Sequence, residues 1–409
     1  MKKINCVVCN NSNILTVLDL GKSPLANNLV PFKNAKLKEK KYPLVMGQCQ
    51  KCNHVQLKYF IKPKLMFDNY LYVSSASSTL QKHLESIPTA INKLKRINSK
   101  DLVIDIGSND GSLLRGYKKY KTRCIGVEPA TNLMKFYKNT NIINYNNYFD
   151  IKLAKKILKK YGKAKIITAT NVFPHIPNLD EFCKALKILM DEKGIFVFEA
   201  HYLLNLLEDV AFDTIYHEHV SYWSINAAQK LFKKYGLEIF KVDRLSIHHG
   251  QIRCWIGRKG TQKIDIKLNR QMSYENKKGK IDRLGLKKFK DQVIKNKKKL
   301  LSLLEKQKKL GKLVVGYGAP AKASTLLTYL ELNKKDIPFI VDKNPLKQNC
   351  FIPGSRIPIY SVDEIYKKKP DFLINFAWNF LDEIVLQNKK FLASGGKIIN
   401  PIPKLKILK

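Results

Sequence analysis

A chain of 409 residues is too long for one compact core, so two or three domains are expected. Its 44% hydrophobic content is that of an ordinary globular protein, and no window approaches about 18 consecutive apolar residues, which excludes a transmembrane helix. Lys and Arg number 75 against 33 acids, a net charge of +42. The lysines lie in almost every segment without an aromatic-interleaved basic cluster, which argues against a nucleic-acid partner and for an anionic small substrate.

The start, MKKINCVVCNN, has lysines but no long apolar region and no small-residue cleavage site. No signal peptide and a cytoplasmic location are expected. Residues 1–60 are turn-rich and carry two matched pairs, Cys6-x-x-Cys9 and Cys49-x-x-Cys52. Each pair sits on a turn where two thiolates reach one tetrahedral ion. A thioredoxin-type role would need one pair in a βαβ unit, and a cytosolic chain is not expected to hold disulfides. A structural zinc on these four thiolates is predicted, in a module that holds a lid over an active site. His54 is left without a coordination place. Cys124, Cys183, Cys254 and Cys350 lie in apolar or amphipathic runs and read as small core residues.

Residues 63–98 read as helical, with a Tyr/Ser-rich approach at Tyr70-Leu71-Tyr72-Val73-Ser74-Ser75. Residues 101–260 alternate apolar strands (102–106, 123–127, 165–169, 194–199, then 238–243 and 251–257) with amphipathic helices. That rhythm predicts a doubly wound parallel sheet with an antiparallel finish. The first strand breaks into Asp105-Ile106-Gly107-Ser108-Asn109-Asp110-Gly111, and a helical pattern follows. Glycines there take φ > 0 and let backbone pass close to a ligand. The second strand ends in Glu128, about 20 residues on, where an acid suits two ribose hydroxyls. The three close glycines of a dinucleotide site are absent. The wider spacing leaves room for an aminoacyl tail, as in class I S-adenosylmethionine-dependent methyltransferases.

Asn171-Val172-Phe173-Pro174-His175 closes the third strand, at the carboxyl end where open parallel sheets bind ligands. After the fourth strand comes Ile215-Tyr216-His217-Glu218-His219-Val220-Ser221-Tyr222. It lacks the H-E-x-x-H spacing of a helical zinc site. It suits proton abstraction by a histidine beside a carboxylate, and equally a hydrogen-bonded structural cluster. His217 alternates with His219 and is expected to point away from it. Residues 277–311 read as a long, exposed, lysine-laced linking helix. A second α/β unit then begins at 312–315, with Gly316-Tyr317-Gly318-Ala319-Pro320-Ala321-Lys322 as its glycine turn. Backbone N–H groups at that turn can receive phosphate oxygens, with Lys322 adding charge.

These strings together resemble the nucleotide-sugar C-3-methyltransferases of branched deoxysugar biosynthesis, end to end. The resemblance also covers Leu18-Asp19-Leu20-Gly21, Pro24-Leu25-Ala26-Asn27, Gly126-Val127-Glu128-Pro129-Ala130, Ala377-Trp378-Asn379-Phe380 and Gly395-Gly396-Lys397. It implies an α/β architecture in three parts: a zinc-binding domain (1–62), a class I methyltransferase Rossmann-like core (63–270) and a C-terminal Rossmann-like domain (271–409) that helps hold a nucleotide sugar. The implied cofactor is S-adenosylmethionine, and the implied reaction is C-methylation beside the ketone of a nucleoside-diphosphate 4-keto deoxysugar. On that pattern His219 is the base, and Tyr216, Glu218, His175 and Tyr70 line the sugar site. Asp105, Gly107, Ser108, Asn109, Gly111, Glu128 and Asn171 are expected at the cofactor. Tyr72, Tyr222, Arg253, Tyr317, Gly318, Lys322, Trp378 and Asn379 are expected at the substrate. Two places depart from the pattern. His248-His249-Gly250-Gln251-Ile252-Arg253 replaces His-Gly-Gly-Ser-x-Arg, and Lys347-Gln348-Asn349 replaces Lys-Gln-Gly. The competing readings are a zinc-ribbon protein that binds or modifies nucleic acid, and an inactive scaffold of the same fold.

Overall fold

Hydrogen-bond pairing sorts the strands into three sheets. A computed structural model describes residues 4–70, 72–247, 250–277 and 281–409. At the N-terminus lie β1 (Ile14–Ser23), β2 (Val30–Pro31), β3 (Tyr42–Cys49) and β4 (Val55–Leu57). β1, β3 and β4 form an antiparallel sheet.

The expected helix over 63–98 is interrupted. α1 (Lys64–Phe67) is one turn, and α2 (Ser78–Lys95) begins later, capped by the Ser77 side chain on the N–H of Leu80. The intervening Tyr/Ser segment is drawn off helical geometry by side chains of the glycine loop. Asn109 Oδ1 accepts the Ser74 N–H and Asp110 Oδ2 the Ser75 N–H, both at 2.9 Å. α2 buries Leu80, Leu84, Ile87 and Ile91, one helical face, against the next sheet.

The central unit runs β5 (Leu102–Ile106), α3 (Ser112–Arg115), β6 (Arg123–Val127), β7 (Ile143–Tyr145), α4 (Ile151–Tyr161), β8 (Ala164–Thr170), α5 (Leu179–Leu189), β9 (Met190–His201), α6 (Leu203–Glu208), β10 (Ser221–Tyr222), α7 (Ile225–Lys233), β11 (Leu237–Leu245) and β12 (Gln251–Arg258). Its seven strands take the order β11-β12-β9-β8-β5-β6-β7. β5 to β9 pair in parallel, and β9, β12 and β11 in antiparallel fashion, as the rhythm of apolar runs predicts. Every residue of β5 is buried, as expected for a strand covered on both faces. β10 leaves this sheet and joins β4 as the fourth strand of the N-terminal one.

α8 (Ile266–Lys277) and α9 (Arg283–Lys309) lead to the C-terminal unit. The long lysine-laced helix is half-buried rather than exposed. Leu286, Phe289, Val293, Leu300 and Leu304 recur at helical spacing and pack into the core under the N-terminal and C-terminal sheets. Each such side chain contributes about 2 kcal/mol. The lysines occupy the other face.

The C-terminal unit runs β13 (Val314–Tyr317), α10 (Ala321–Leu330), β14 (Ile340–Val341), β15 (Cys350–Phe351), β16 (Pro358–Tyr360), α11 (Glu364–Lys368), β17 (Phe372–Asn375), α12 (Leu381–Gln387), α13 (Lys389–Ala393), β18 (Lys397–Asn400) and β19 (Lys406–Leu408). Its eight-stranded sheet, β19-β18-β17-β13-β14-β16-β15-β2, ends on a strand lent by the N-terminal segment. Arg356 reinforces that loan through Glu39, Nε to Oε2 at 2.7 Å. No helix among the described residues is long and apolar enough to cross a membrane.

Candidate active site between two strand-end faces

A cavity of about 1360 Å³ opens where the carboxyl ends of the parallel strands in the two Rossmann-like sheets face each other. Ligand pockets commonly hold about 300–1,000 Å³, so this one accommodates two substrates.

One end is the glycine loop. Gly107 has φ +66, and a Cβ there would stand 2.2 Å from Val172 Cγ2, so no side chain fits. Glu128, at the end of β6, accepts the N–H of Asn109 on Oε2 and that of Ala130 on Oε1, both at 2.8 Å. Burial raises its pKa, and those two N–H groups oppose the rise. Each carboxylate oxygen keeps a further lone pair for a ligand hydroxyl. Gly107, Asn109, Glu128 and Asn171 all line the cavity. Asn171 Oδ1 takes the Gln251 amide at 2.6 Å, so the departure at Gln251 acts on the glycine-loop end of the cavity. His248 and His249 lie outside the described residues.

Three residues expected at the cofactor do not line the cavity. Asp105 is buried and takes the Thr168 hydroxyl at 2.6 Å; burial pushes its carboxyl up to about 7, against that hydrogen bond. The Ser108 hydroxyl accepts that of Tyr137 at 2.8 Å. Gly111, φ +78, caps α3 beside the Tyr137 ring.

The middle of the cavity is aromatic and basic. His219 Nδ1 lies 2.8 Å from the Thr214 carbonyl. A carbonyl only accepts, so Nδ1 carries the hydrogen and Nε2 is left as a base. Burial holds the His219 pKa well below its ordinary value, and His201 and His175 add to this against the Thr214 contact. The Tyr216 ring centroid lies 4.0 Å away, His201 5.1 Å and His175 5.3 Å. His175 donates from Nδ1 to the Glu218 carbonyl at 2.6 Å. Tyr70, held on both backbone groups by Asn132, donates its hydroxyl to Glu218 at 3.4 Å. Tyr70, Tyr72, His175, Tyr216 and His219 line the cavity. Glu218 sits just behind them, and burial pushes its carboxyl up to about 7, against the hydrogen bonds from Asn27 and Tyr70. His217 faces the other way, 1% exposed, with Nε2 3.3 Å from the Pro43 carbonyl; the chain turns here rather than running extended, the His219 N–H closing on the Tyr216 carbonyl at 2.9 Å, so the turn and not strand alternation separates the two imidazoles.

The far end belongs to the C-terminal unit. Lys322 Nζ lies 4.2 Å over the Trp378 ring and donates to Asn379 Oδ1. Trp378 Nε1 donates to Asp213 at 2.7 Å. Burial lowers Lys322 to about 8, opposed by Asp213. Burial raises Asp213 to about 6, opposed by Lys322 and the Trp378 hydrogen bond. Lys322, Trp378 and Asn379 line the cavity.

Four residues expected at the substrate do not reach it. The Tyr317 hydroxyl turns to Gln387 Oε1, 3.1 Å away, and Gly318 spends its N–H on the Val341 carbonyl at 2.7 Å. Arg253 is buried in an ion pair, Nε to Glu199 Oε1 at 2.6 Å, with His83 on the other oxygen at 2.7 Å. Tyr222 is buried in β10, the fourth strand of the N-terminal sheet. Sequence reasoning missed His201 and Lys343, which also line the cavity, as does Lys347 of the Lys347-Gln348-Asn349 departure. His201 is the last residue of β9 and Lys343 follows β14 closely, the address that drew attention to His175.

The four cysteines Cys6, Cys9, Cys49 and Cys52 bring their sulfurs within 4.8 Å of one another. The pairs Cys6–Cys52 and Cys9–Cys49 lie at 3.4 Å. A tetrahedral zinc with bonds of about 2.3 Å needs sulfurs about 3.8 Å apart, so the set fits that ion. The knuckles dock on α7: its Lys230 donates to the Cys52 carbonyl, and Lys234, just past its end, to that of Val8. The module grips the segment that carries His219 rather than a separate lid. β4 pairs with β10, the Leu57 N–H donates to the Val220 carbonyl, and Asn27 holds Glu218. His54 is spent on Ser221, 3.2 Å away.

Three family models match successive parts of the chain: "Putative zinc binding domain" over 6–67, "Methyltransferase domain" over 80–242 and "C-methyltransferase C-terminal domain" over 246–403. The C-methyltransferase NovU of Streptomyces niveus is 30% identical over 404 residues, covering 98% of this chain and 96% of that one. Among solved structures, a complex of the Haloferax volcanii Trm112 methyltransferase activator with a methyltransferase overlaps 45% of this chain and 96% of its own (TM-score 0.36, 14% identity). An S-adenosylmethionine-dependent methyltransferase from Clostridium acetobutylicum overlaps 44% and 92% (TM-score 0.35, 11% identity).

Proposed function

The chain belongs to the S-adenosylmethionine-dependent C-methyltransferases that carry an N-terminal zinc-binding domain, and we propose that it methylates a nucleoside-diphosphate 4-keto deoxysugar at the carbon beside the ketone. The observation that carries this reading is His219. Its Nδ1 is tied to the Thr214 carbonyl, and it shares one cavity with Glu128 at one end and Lys322 at the other.

S-adenosylmethionine supplies an electrophilic methyl group on sulfur. Glu128 would take its ribose hydroxyls, and Gly107 and Asn109 would pass close to its tail. Lys322, Lys343 and Lys347 form the cationic end that suits a diphosphate. A C–H beside a ketone is acidic enough for a positioned base once the enolate oxygen is hydrogen-bonded. His219 Nε2 would take that proton. The Tyr216 hydroxyl would support the enolate, since burial holds that phenol in the protonated, donating form. Alignment of the enolate carbon with the sulfonium supplies much of the remaining rate. The units 1–62, 63–270 and 271–409 serve as ion holder, cofactor and base platform, and nucleotide platform. No nucleic acid or membrane partner enters this reading.

The test uses deuterated water. With a nucleoside-diphosphate 4-ketosugar and S-adenosylhomocysteine, the enzyme should wash deuterium into the sugar. His219→Asn should lose exchange and methylation together while still binding the cofactor product. Near-normal turnover in that variant would move the base elsewhere, with His175 as the next residue to examine.

A further inference from the structure

The turn that aims His219 is held by the C-terminal unit. Residues 212–215 close on themselves, the Ile215 N–H donating to the Phe212 carbonyl at 3.0 Å, and this sets the peptide plane that carries the Thr214 carbonyl. That carbonyl accepts the His219 Nδ1–H at 2.8 Å, so it decides which ring nitrogen is left as a base.

Each of the three neighbours of Thr214 in the turn meets a partner from the C-terminal unit. The Phe212 ring stands edge-on to Tyr329 of α10, centroids 5.4 Å apart. The Ile215 carbonyl accepts the Thr325 hydroxyl, also of α10, at 3.3 Å. Asp213 accepts the Trp378 indole N–H at 2.7 Å. The last is the shortest of these contacts, and its acceptor is a carboxyl group, which makes the stronger class of hydrogen bond when ionised. Asp213 is 1% exposed and does not line the cavity, so it does not touch a substrate. Its partner Trp378 does line the cavity, and the same indole carries Lys322 at 4.2 Å from its ring. What Asp213 does for the reaction it does through the turn in which it sits.

We infer that Asp213 is a positioning residue for His219: by hanging the Phe212–Ile215 turn on the indole beneath Lys322, it aims the Thr214 carbonyl that leaves His219 Nε2 as the base. This rests on His219 being the base. The inference adds that the end of the cavity suited to a diphosphate and the base are set by one connected piece of structure.

The experiment uses the full zinc-loaded chain with ¹⁵N-labelled histidine, as wild type, Asp213→Ala, Asp213→Asn and Trp378→Phe. The His219 ring signals are identified by their loss in His219→Asn. Wild type should show a fixed Nδ1–H tautomer. Asp213→Ala should show a mixture or the Nε2–H form. Deuterium wash-in at saturating sugar and S-adenosylhomocysteine, in the exchange test above, should fall about tenfold or more in that variant, with S-adenosylhomocysteine affinity unchanged. Asp213→Asn keeps an acceptor oxygen for the indole and should restore both the tautomer and most of the wash-in. Trp378→Phe removes the donor and keeps a ring, so it should resemble Asp213→Ala and give a second reading should that variant fold poorly. A retained Nδ1–H tautomer with wash-in within about twofold of wild type, in Asp213→Ala or in Trp378→Phe, would overturn the inference. So would a joint loss of wash-in and cofactor affinity, the mark of a merely structural role, or an Asp213→Asn as impaired as Asp213→Ala. Failure of the underlying reading shows separately, as wash-in retained in His219→Asn, and would overturn the inference with it.

Discussion

The Asn27 side-chain amide donates to both carboxylate oxygens of Glu218, at 2.8 and 2.9 Å, across a separation of most of the first half of the chain. One partner comes from the zinc-bearing segment and the other from the string that carries His219. Glu218 is buried, and its other side-chain partner is the Tyr70 hydroxyl. The ion-binding module thus reaches the proposed chemistry through this amide, beside the backbone pairing of β4 with β10.

Asn27→Ala should therefore behave as a lesion of the base segment and not of the metal. It strips a buried carboxyl of its strongest donor, at a cost of about 1.5–3 kcal/mol. The Glu218 carboxyl should move up further, and turnover should fall with zinc content and S-adenosylhomocysteine affinity unchanged. Metal analysis, calorimetry and steady-state rates on one preparation check this. A parallel loss of zinc would place Asn27 in the fold of the module instead.

Zinc removal should act in the same direction over a longer path. β4 pairs with β10 directly after the His219 string. Cys49→Ser, or chelation, should reduce zinc from about one per chain, loosen residues 1–60 and lower methyl transfer. Cofactor binding should persist, because Gly107 and Glu128 are anchored in the central sheet. Hydrogen exchange should show protection lost in β4 and β10 together. Loss confined to the knuckles would uncouple the module from the site.

The parts of this arrangement that could be read from the chain alone are local. β5 and its glycine loop were legible because a short run apolar but for Asp105, ending in glycine, has few other readings. The four thiolates were legible from their matched spacing. Tyr222, Arg253 and Tyr317 had the right neighbourhood, but side-chain direction is decided by packing. Arg253 meets Glu199 across the β9–β12 ladder, and Tyr317 meets Gln387 on α12. The interruption of 63–98 and the loan of β2 to the C-terminal sheet depend on partners far along the chain. No local pattern encodes them.

Glu128→Ala removes the acceptor of two backbone N–H groups and of the proposed ribose hydroxyls. Charge-assisted bonds of this kind contribute about 1.5–3 kcal/mol each, so S-adenosylhomocysteine affinity should fall tenfold or more. Glu128→Gln keeps the shape and should lose less. Calorimetry on the three proteins checks the order. Equal affinities would place the cofactor ribose elsewhere.

Lys322 makes the pH dependence specific. Burial lowers its pKa to about 8, with Asp213 opposing. Below that value the ammonium is charged and can meet a diphosphate; as pH rises through it, the charge is lost. The KM for a nucleotide sugar should therefore be flat between about pH 6 and 8 and climb above pH 8. A bound phosphate favours the charged form, so kcat, which reports the complex, should break at higher pH than kcat/KM. Lys322→Ala should show a raised, pH-independent KM across the same range, with S-adenosylmethionine binding unaltered. Lys322→Arg retains charge at every pH used and should abolish the climb even if its longer fork weakens binding overall. A KM that still climbs above pH 8 in Lys322→Arg would assign the titration to another group, and equal effects on sugar and cofactor in Lys322→Ala would remove Lys322 from the nucleotide end of the cavity.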